Sequence, residues 1–157
     1  MRVKLICVGK TNFDYIEKGC LIYQDRLKHF TSFEMLFVQD IRNTKKMPVN
    51  EVKRKEGIAI LKSLDKADKL CLLDEKGSSY TSEGFAGFIE KQVNFGVKQL
   101  VFVIGGAFGF SEEVYQRADF KLSLSKMTFS HQIIRVIFLE QLYRAFTIIK
   151  GIPYHNQ

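Results

Sequence analysis

Three residues near the carboxyl terminus have the side chains best suited to chemistry: Arg135, Tyr154 and His155. Arg135 lies among apolar neighbours of a predicted helix, which favours contact with a phosphate, a carboxylate or a partner subunit. Tyr154 and His155 follow Gly151-Ile152-Pro153, a sequence that ends a helix and gives the tail a defined direction. An imidazole readily exchanges a proton near neutral pH. The tail is therefore a candidate for substrate binding or proton transfer.

A second candidate is a glycine-rich turn that follows the most apolar strand pattern of the chain, Gln99–Ile104. Gly105 and Gly106 lack side chains, so their backbone N–H groups can approach a ligand closely. The spacing to Gly109 differs from the G-x-G-x-x-G of dinucleotide-binding folds, and no acidic residue ends the next strand to hold a ribose. A nicotinamide-dependent oxidoreductase is therefore disfavoured. The turn is either a cofactor loop or a tight connection that only packs.

A polar loop with two apolar residues separates the last strand pattern from the last helix pattern. It consists of Ser125, Lys126, Met127, Thr128, Phe129 and Ser130. Backbone groups of such a loop can hydrogen-bond the edge of an adenine while its apolar side chains cover the ring. An ordinary connection between strand and helix explains the same residues equally well.

Apolar periodicity predicts strands that alternate with helices. Strands are expected at Val3–Val8, Phe33–Val38, Lys69–Leu73, Gln99–Ile104 and Phe120–Leu124, and the last helix runs from a cap at Ser130 to a stop at Gly151. Short connections indicate a single α/β domain over residues 1–157 with a largely parallel sheet. Parallel strands share a carboxyl edge, where Leu73, the 105–110 turn and the 125–130 loop are expected to meet.

The composition is typical of a soluble globular protein, since 46% of the 157 residues are hydrophobic and 26% are charged. No apolar run is long enough to span a membrane, and the amino-terminal MRVKLICVGK has no cleavage site. Cys7, Cys20 and Cys71 lack the spacing of a metal site, so we interpret them as buried free thiols. These features predict a cytoplasmic protein without a metal.

The net charge of +7 is concentrated in one stretch, here called the basic segment. Its basic residues are Arg42, Lys45, Lys46, Lys53, Arg54 and Lys55. Such a cluster is either a solvated helix face or a surface for nucleic-acid phosphates, and the positive total favours the nucleic acid.

Three sequence blocks resemble one bacterial family over the whole chain: LLDEKG at 72–77, FVIGGAFGF at 102–110 and the long block at 123–155. The family is that of ribosomal RNA large subunit methyltransferase H, SPOUT-class enzymes that methylate N3 of a pseudouridine in 23S ribosomal RNA. The resemblance implies a SPOUT-type parallel-sheet domain with a C-terminal trefoil knot and S-adenosylmethionine as cofactor. It also implies a cytoplasmic homodimer that acts on 23S rRNA within the large subunit or the whole ribosome.

The resemblance further implies which residues bind the cofactor. They are Leu73, Gly105, Gly106, Gly109, Ser125, Lys126, Met127, Thr128, Phe129 and Ser130. Members of the family commonly carry a basic residue after Pro-Tyr-His, whereas Asn156 and Gln157 follow here. A catalytic role for a basic residue at that place is therefore not carried over to this chain.

For the reaction itself, His155 is the predicted base that accepts the N3 proton. Tyr154 is expected to stack on or hydrogen-bond the flipped-out base, and Arg135 to stabilise anionic charge on the base or a phosphate. His131 is a weaker candidate, because the first turn of a helix disfavours a cation. Solvent is the remaining acceptor. The rival function is a knotted RNA-binding or ribosome-assembly factor without transferase activity, which would not bind S-adenosylmethionine.

Overall fold

One sheet of five parallel strands forms the centre of the fold, in the order β2-β1-β4-β3-β5. The computed structural model describes residues 1–41 and 46–155. The strands are β1 (Arg2–Val8), β2 (Ser32–Val38), β3 (Lys69–Ser79), β4 (Gln99–Ile104) and β5 (Phe120–Ser123). Each neighbouring pair in this order is parallel. The predicted α/β fold with a largely parallel sheet is confirmed.

Helices cover both faces of the sheet. They are α1 (Asp14–Leu27), α2 (Val49–Lys62), α3 (Ser82–Asn94), α4 (Glu112–Arg117) and α5 (Ile133–Ile149). Successive strand residues point to opposite faces. Leu5 and Phe102 therefore pack with α1, α3 and α5, whereas Ile6 and Val103 pack with α2 and α4. The strand β4 is buried on both sides, which explains its almost continuous apolar sequence.

The strand β3 is longer than predicted and contains a bulge. The predicted strand ends at Leu73, before the turn-like residues Asp74-Glu75-Lys76-Gly77, but Leu73 and Ser78 both lie opposite Leu122 of β5. The residues between them leave the ladder and pairing then resumes. A Cβ on Gly77 would lie 2.6 Å from the Leu122 backbone nitrogen, so only glycine fits there. The turn residues thus form a bulge inside the strand.

The helix α5 begins at Ile133, and its N-cap is Gln132, two residues later than the predicted cap Ser130. The predicted cap Ser130 still contributes, since its hydroxyl accepts a hydrogen bond from the Ile133 N–H at 3.3 Å. The Gln132 side chain instead binds the loop after β1: it donates to the Lys10 carbonyl oxygen at 3.0 Å. It also accepts from the Asn12 N–H at 2.9 Å. The start of α5 is thereby fixed to the carboxyl end of β1.

Within residues 1–41 and 46–155, no helix is both long enough and apolar enough to cross a membrane. The same residues contain no cluster of His, Cys, Asp or Glu side chains that could hold a metal ion. Cys7, Cys20 and Cys71 are free and buried, as expected. Burial raises the pKa of Cys20 to about 11 and that of Cys71 to about 12, so both are thiols at neutral pH. The trefoil knot stays a prediction.

Candidate active site

A cavity of about 580 Å³ lies at the carboxyl edge of the sheet, between the bulge of β3 and the connections that follow β4 and β5. Parallel strands bring these connections together because all of them end at the same edge. The predicted cofactor residues that line it are Leu73, Gly105, Gly106, Gly109, Ser125, Met127, Thr128, Phe129 and Ser130. Lys126 is exposed and does not line the cavity. The three loops selected from the sequence therefore do meet.

The glycine-rich turn forms one wall of this cavity. Gly109 donates its N–H to the Gly106 carbonyl oxygen at 3.2 Å and has a φ of 80°, a left-handed conformation that favours glycine. A Cβ on Gly105 would lie 3.0 Å from the Phe110 ring, and one on Gly106 would lie 2.6 Å from Glu56 Oε2. The close approach at both glycines is thus toward protein groups behind the turn. The sequence analysis had explained Gly105 and Gly106 by the close approach of a ligand instead.

Glu56 of α2 is a buried carboxyl group directly behind the turn, and sequence reasoning missed it. Its residue is 6% exposed, and Oε2 has no hydrogen-bond partner among the described residues. Burial raises the pKa of Glu56, and the charge of Asp40 adds to this rise. In the sequence, Glu56 stands among lysines and arginines on a helix and looks like part of a solvated face.

The 125–130 loop presents both polar and apolar groups. The Ser125 hydroxyl accepts from the Met127 N–H at 2.9 Å, and its carbonyl oxygen accepts from the Ser123 hydroxyl at 3.0 Å. These bonds fix the first half of the loop. The Met127 side chain is 76% exposed and that of Phe129 is 39% exposed, although both line the cavity. Two large apolar side chains are therefore available to a ligand or a partner surface.

His131 also lines the cavity, close to the start of α5. Burial lowers the pKa of His131, and the positive charge of Arg135 lowers it further. The imidazole is therefore neutral at physiological pH. The weaker candidate base from the sequence thus lies nearer to the cavity than His155 within one protomer.

The opposite wall carries Asp74, whose carboxylate is fully used inside the protein. The Tyr115 hydroxyl donates a hydrogen bond to Asp74 Oδ2, and the Lys76 N–H donates one to Oδ1 at 2.8 Å. Burial and the Asp74 carboxylate raise the pKa of Tyr115 well above its ordinary value, so the phenol stays protonated. This pair stabilises the start of the β3 bulge beside the cavity.

Tyr154 and His155 lie outside the cavity, in a polar network on α3 and α5. His155 Nε2 is 2.5 Å from Glu83 Oε1, and Nδ1 is 3.3 Å from Arg144 Nη1. Because arginine can only donate, Nδ1 is the acceptor and Nε2 carries the proton. Hydrogen bonds from the Glu83 backbone N–H and from His155 lower the pKa of Glu83, so its carboxylate stays ionised. Both ring nitrogens of His155 are therefore engaged.

The same network holds Tyr154 and the pair Glu140–Arg144, which has the i,i+4 spacing of a simple surface ion pair on a helix. Arg144 donates to Glu140 Oε1 through Nε at 3.0 Å and through Nη2 at 2.5 Å. Tyr154 donates to the same oxygen at 3.2 Å, and its ring lies 4.8 Å below the Arg144 guanidinium. Burial and the hydroxyl of Tyr23 raise the pKa of Tyr154, so it remains a donor. The pair thus positions the tail.

Arg135 does not have the predicted contact with a substrate anion. The residue is 0% exposed, and its guanidinium donates to the carbonyl oxygens of Val8 at 3.0 Å and Gly9 at 3.1 Å. It also binds the Thr11 hydroxyl at 2.9 Å and the His131 carbonyl oxygen at 3.0 Å. The charge satisfies the carboxyl end of β1, where the strand's carbonyl groups would otherwise lack partners. We therefore correct its role to one of fixing α5 on the sheet.

Comparison with known proteins agrees with this geometry. The family model described as "Predicted SPOUT methyltransferase" matches residues 1–155. The chain is 52% identical to the protein of Christiangramia forsetii and 50% identical to that of Parabacteroides distasonis, each over 100% of both chains. It is 47% identical to the protein of Flavobacterium johnsoniae, again over the full length of both. All three relatives are named "Ribosomal RNA large subunit methyltransferase H". The chain belongs to the SPOUT methyltransferase family.

Proposed function

We propose that this protein methylates N3 of a pseudouridine in 23S ribosomal RNA, with S-adenosylmethionine as the methyl donor. The observation that carries the proposal is the one cavity that the β3 bulge and the loops after β4 and β5 line together, in a chain whose full-length relatives are rRNA methyltransferases by name. We also propose that the protein is cytoplasmic, since ribosomal RNA is its proposed substrate.

The cavity fits this cofactor in size and in chemistry. Its volume of about 580 Å³ lies within the usual range for whole small-molecule ligands. Leu73 and Met127 offer apolar contacts, while Gly105, Gly106 and Ser125 offer backbone groups for the polar edges of the ligand. When bound, S-adenosylmethionine supplies a methyl group activated by the sulfonium. The protein's share of catalysis is then largely to hold the target nitrogen in line with that methyl group.

The N3 proton of the target base has to be accepted as the methyl group arrives, and we assign this to His155. Nδ1 carries the lone pair and faces Arg144, so an incoming base that displaces this contact gives its proton to Nδ1. The Nε2–H already donates to the Glu83 carboxylate, which stabilises the imidazolium that forms. Tyr154 adds a ring and a hydroxyl beside the same position.

We further propose a homodimer in which the tail of one protomer meets the cavity of its partner. Within one protomer, neither Tyr154 nor His155 lines the cavity. Apolar residues of α5 are only partly covered, among them Ile133, Val136 and Ile149. Burying such surface against a second copy is favourable. Sedimentation at micromolar protein should give the mass of a dimer, and a monomer would refute this arrangement.

The basic segment is proposed to bind rRNA phosphates. Lys53 lines the cavity, while Lys46 and Arg54 are exposed on the adjoining surface. Arg42 and Lys45 lie outside the described residues. Contacts of this kind strengthen binding without selecting a sequence, and they weaken as salt rises.

Mass spectrometry of 23S rRNA from a deletion strain tests the proposed function. We expect one pseudouridine to lose its N3 methyl group in that strain and to regain it when the wild-type gene is returned. Titration calorimetry with S-adenosylmethionine should show binding to the purified protein. An unchanged set of methylated nucleotides in the deletion strain would overturn the proposal. Absence of cofactor binding would favour an RNA-binding factor without transferase activity.

A further inference from the structure

A second, smaller cavity of about 240 Å³ lies beside the first, along the β3 bulge and the edge strand β5. Lys76, Ser78, Tyr80, Phe88 and Lys121 contribute to its lining. Lys76 also lines the larger cavity, so the bulge is a wall common to both. The volume is below the usual range for whole small-molecule ligands, so the cavity suits only part of a larger ligand.

The wall between the cavities is a built feature. The bulge is closed by the hydrogen bond from the Lys76 N–H to Asp74 Oδ1 and by the tight approach of Gly77 to the backbone of Leu122. Pairing of Ser79 with Ser123 then fixes its far end. Lys76 is therefore held at a defined place between the two cavities.

The lining combines an aromatic face with positive charge that no described carboxylate neutralises. Tyr80 is 46% exposed, and its ring centroid lies 6.0 Å from that of Phe88. Within residues 1–41 and 46–155, neither Lys76 nor Lys121 forms an ion pair. The carboxylate in the lining, Asp119, is already bound by Lys69 at 2.7 Å and by Arg117 at 3.3 Å.

Lys121 also connects the small cavity to the large one. Its Nζ lies 5.9 Å from the ring centroid of Tyr115, a residue that lines the larger cavity. An exposed aromatic ring with lysines beside it is the usual combination for single-stranded nucleic acid, in which the base stacks and the phosphate binds the cation.

We propose that the second cavity, formed by the β3 bulge and β5, binds a nucleotide that flanks the target base in the single-stranded RNA. The flanking base stacks on Tyr80, and its phosphate binds Lys76 and Lys121. This inference rests on the proposed function, because the second cavity binds the nucleotide next to the target base that enters the larger cavity.

The test compares Tyr80→Ala and Lys121→Ala with two matched controls at the amino ends of the strands, away from both cavities. Phe95 is 71% exposed at the end of α3, and Lys98 is exposed just before β4. The probe is 23S rRNA in whole ribosomes and large subunits from the deletion strain, with affinity measured over a range of salt. We expect Tyr80→Ala to weaken binding roughly tenfold. Lys121→Ala should lower the slope of log affinity against log salt by about 0.7.

Cofactor affinity, measured by calorimetry, should be unchanged in all four variants. If Tyr80→Ala and Lys121→Ala match Phe95→Ala and Lys98→Ala in RNA affinity and salt slope while the wild-type protein methylates the RNA, the subsite is overturned and the proposed function stands. If the wild-type protein neither binds nor methylates the RNA, both are overturned.

Discussion

The cavity at the carboxyl edge of the sheet and the tail at the end of α5 are built in different ways. Glycines, serines and apolar residues at the β3 bulge and after β4 and β5 make up most of the cavity lining. Side chains dominate the tail, where Glu83, Glu140 and Arg144 hold Tyr154 and His155. The first region is a consequence of topology. The second depends on individual side-chain pairs between helices.

This difference separates two tasks of one reaction. Most of the cavity lining is glycine, serine and apolar residues, which can hold a cofactor without exchanging a proton. The tail carries the proposed proton acceptor His155, but it lies away from the cavity within a protomer. A change in the tail should therefore alter turnover, and a change in the cavity should alter cofactor affinity.

The largest effect is expected at His155. His155→Ala removes the proposed proton acceptor, so turnover at saturating RNA should fall about 10²- to 10⁴-fold. Cofactor affinity should stay within error of the wild type, as measured by calorimetry. Lys150 is exposed at the end of α5, so Lys150→Ala serves as the control and should keep full turnover. Undiminished turnover in His155→Ala would make His155 a binding residue and leave solvent as the acceptor.

Replacing Arg135 should change protein stability more than replacing an arginine of the tail network. Arg135→Met leaves the Val8 and Gly9 carbonyl groups without partners, so the free energy of unfolding should fall by roughly 3 kcal/mol. Arg144→Met on the same helix removes a partly exposed ion pair and should cost about 1 kcal/mol or less. Denaturant titration measures both. Equal losses would contradict the structural role assigned to Arg135.

A smaller effect is expected for Gly106→Val. Its Cβ would lie 2.6 Å from the buried Glu56 Oε2, so the glycine-rich turn has to move and the cavity wall moves with it. We expect a folded dimer whose affinity for S-adenosylmethionine falls at least about tenfold, a loss of roughly 1.4 kcal/mol. Gly87→Val, where an added Cβ meets nothing within 4 Å, serves as the control. Normal cofactor affinity in a folded Gly106→Val protein would show that the glycine-rich turn does not contribute to cofactor binding.

The smallest effect concerns the basic segment. Replacing Lys45, Lys46, Lys53 and Arg54 by alanine should weaken rRNA binding and reduce the salt slope by about one unit per lost phosphate contact. Because phosphate contacts carry no sequence information, the methylated position should not change. A salt slope equal to that of the wild type would mean that these residues form only a solvated surface.

The sequence predicted the cavity well because its position follows from local patterns. Apolar runs identified the strands, and parallel strands necessarily bring Leu73, Gly105 and Ser125 to one edge. The bulge in β3 was missed because Asp74 to Gly77 have the residue types of a turn. Only the pairing of Ser78 and Ser79 with β5, far along the chain, keeps them inside a strand.

The misses in side-chain roles have the same physical origin. Arg135 binds carbonyl groups at the end of β1, more than 120 residues earlier in the chain, which no helical period reveals. Glu140 and Arg144 satisfy the spacing of a surface pair, yet they also hold Tyr154. Glu56 is buried where the glycine-rich turn packs on it. Long-range packing decided each role.

Subunit mixing tests most directly whether the cavity of one protomer works with the tail of the other. Gly106→Val and His155→Ala proteins are unfolded together, refolded and assayed for methyl transfer to rRNA at a cofactor concentration well below the weakened affinity of Gly106→Val, so that each is nearly inactive alone. We expect activity to return, because a mixed dimer pairs one intact cavity with one intact tail. The double variant refolded with wild-type protein should give mixed dimers without an intact pair. A mixture of single variants no more active than its components would contradict an active site shared between subunits.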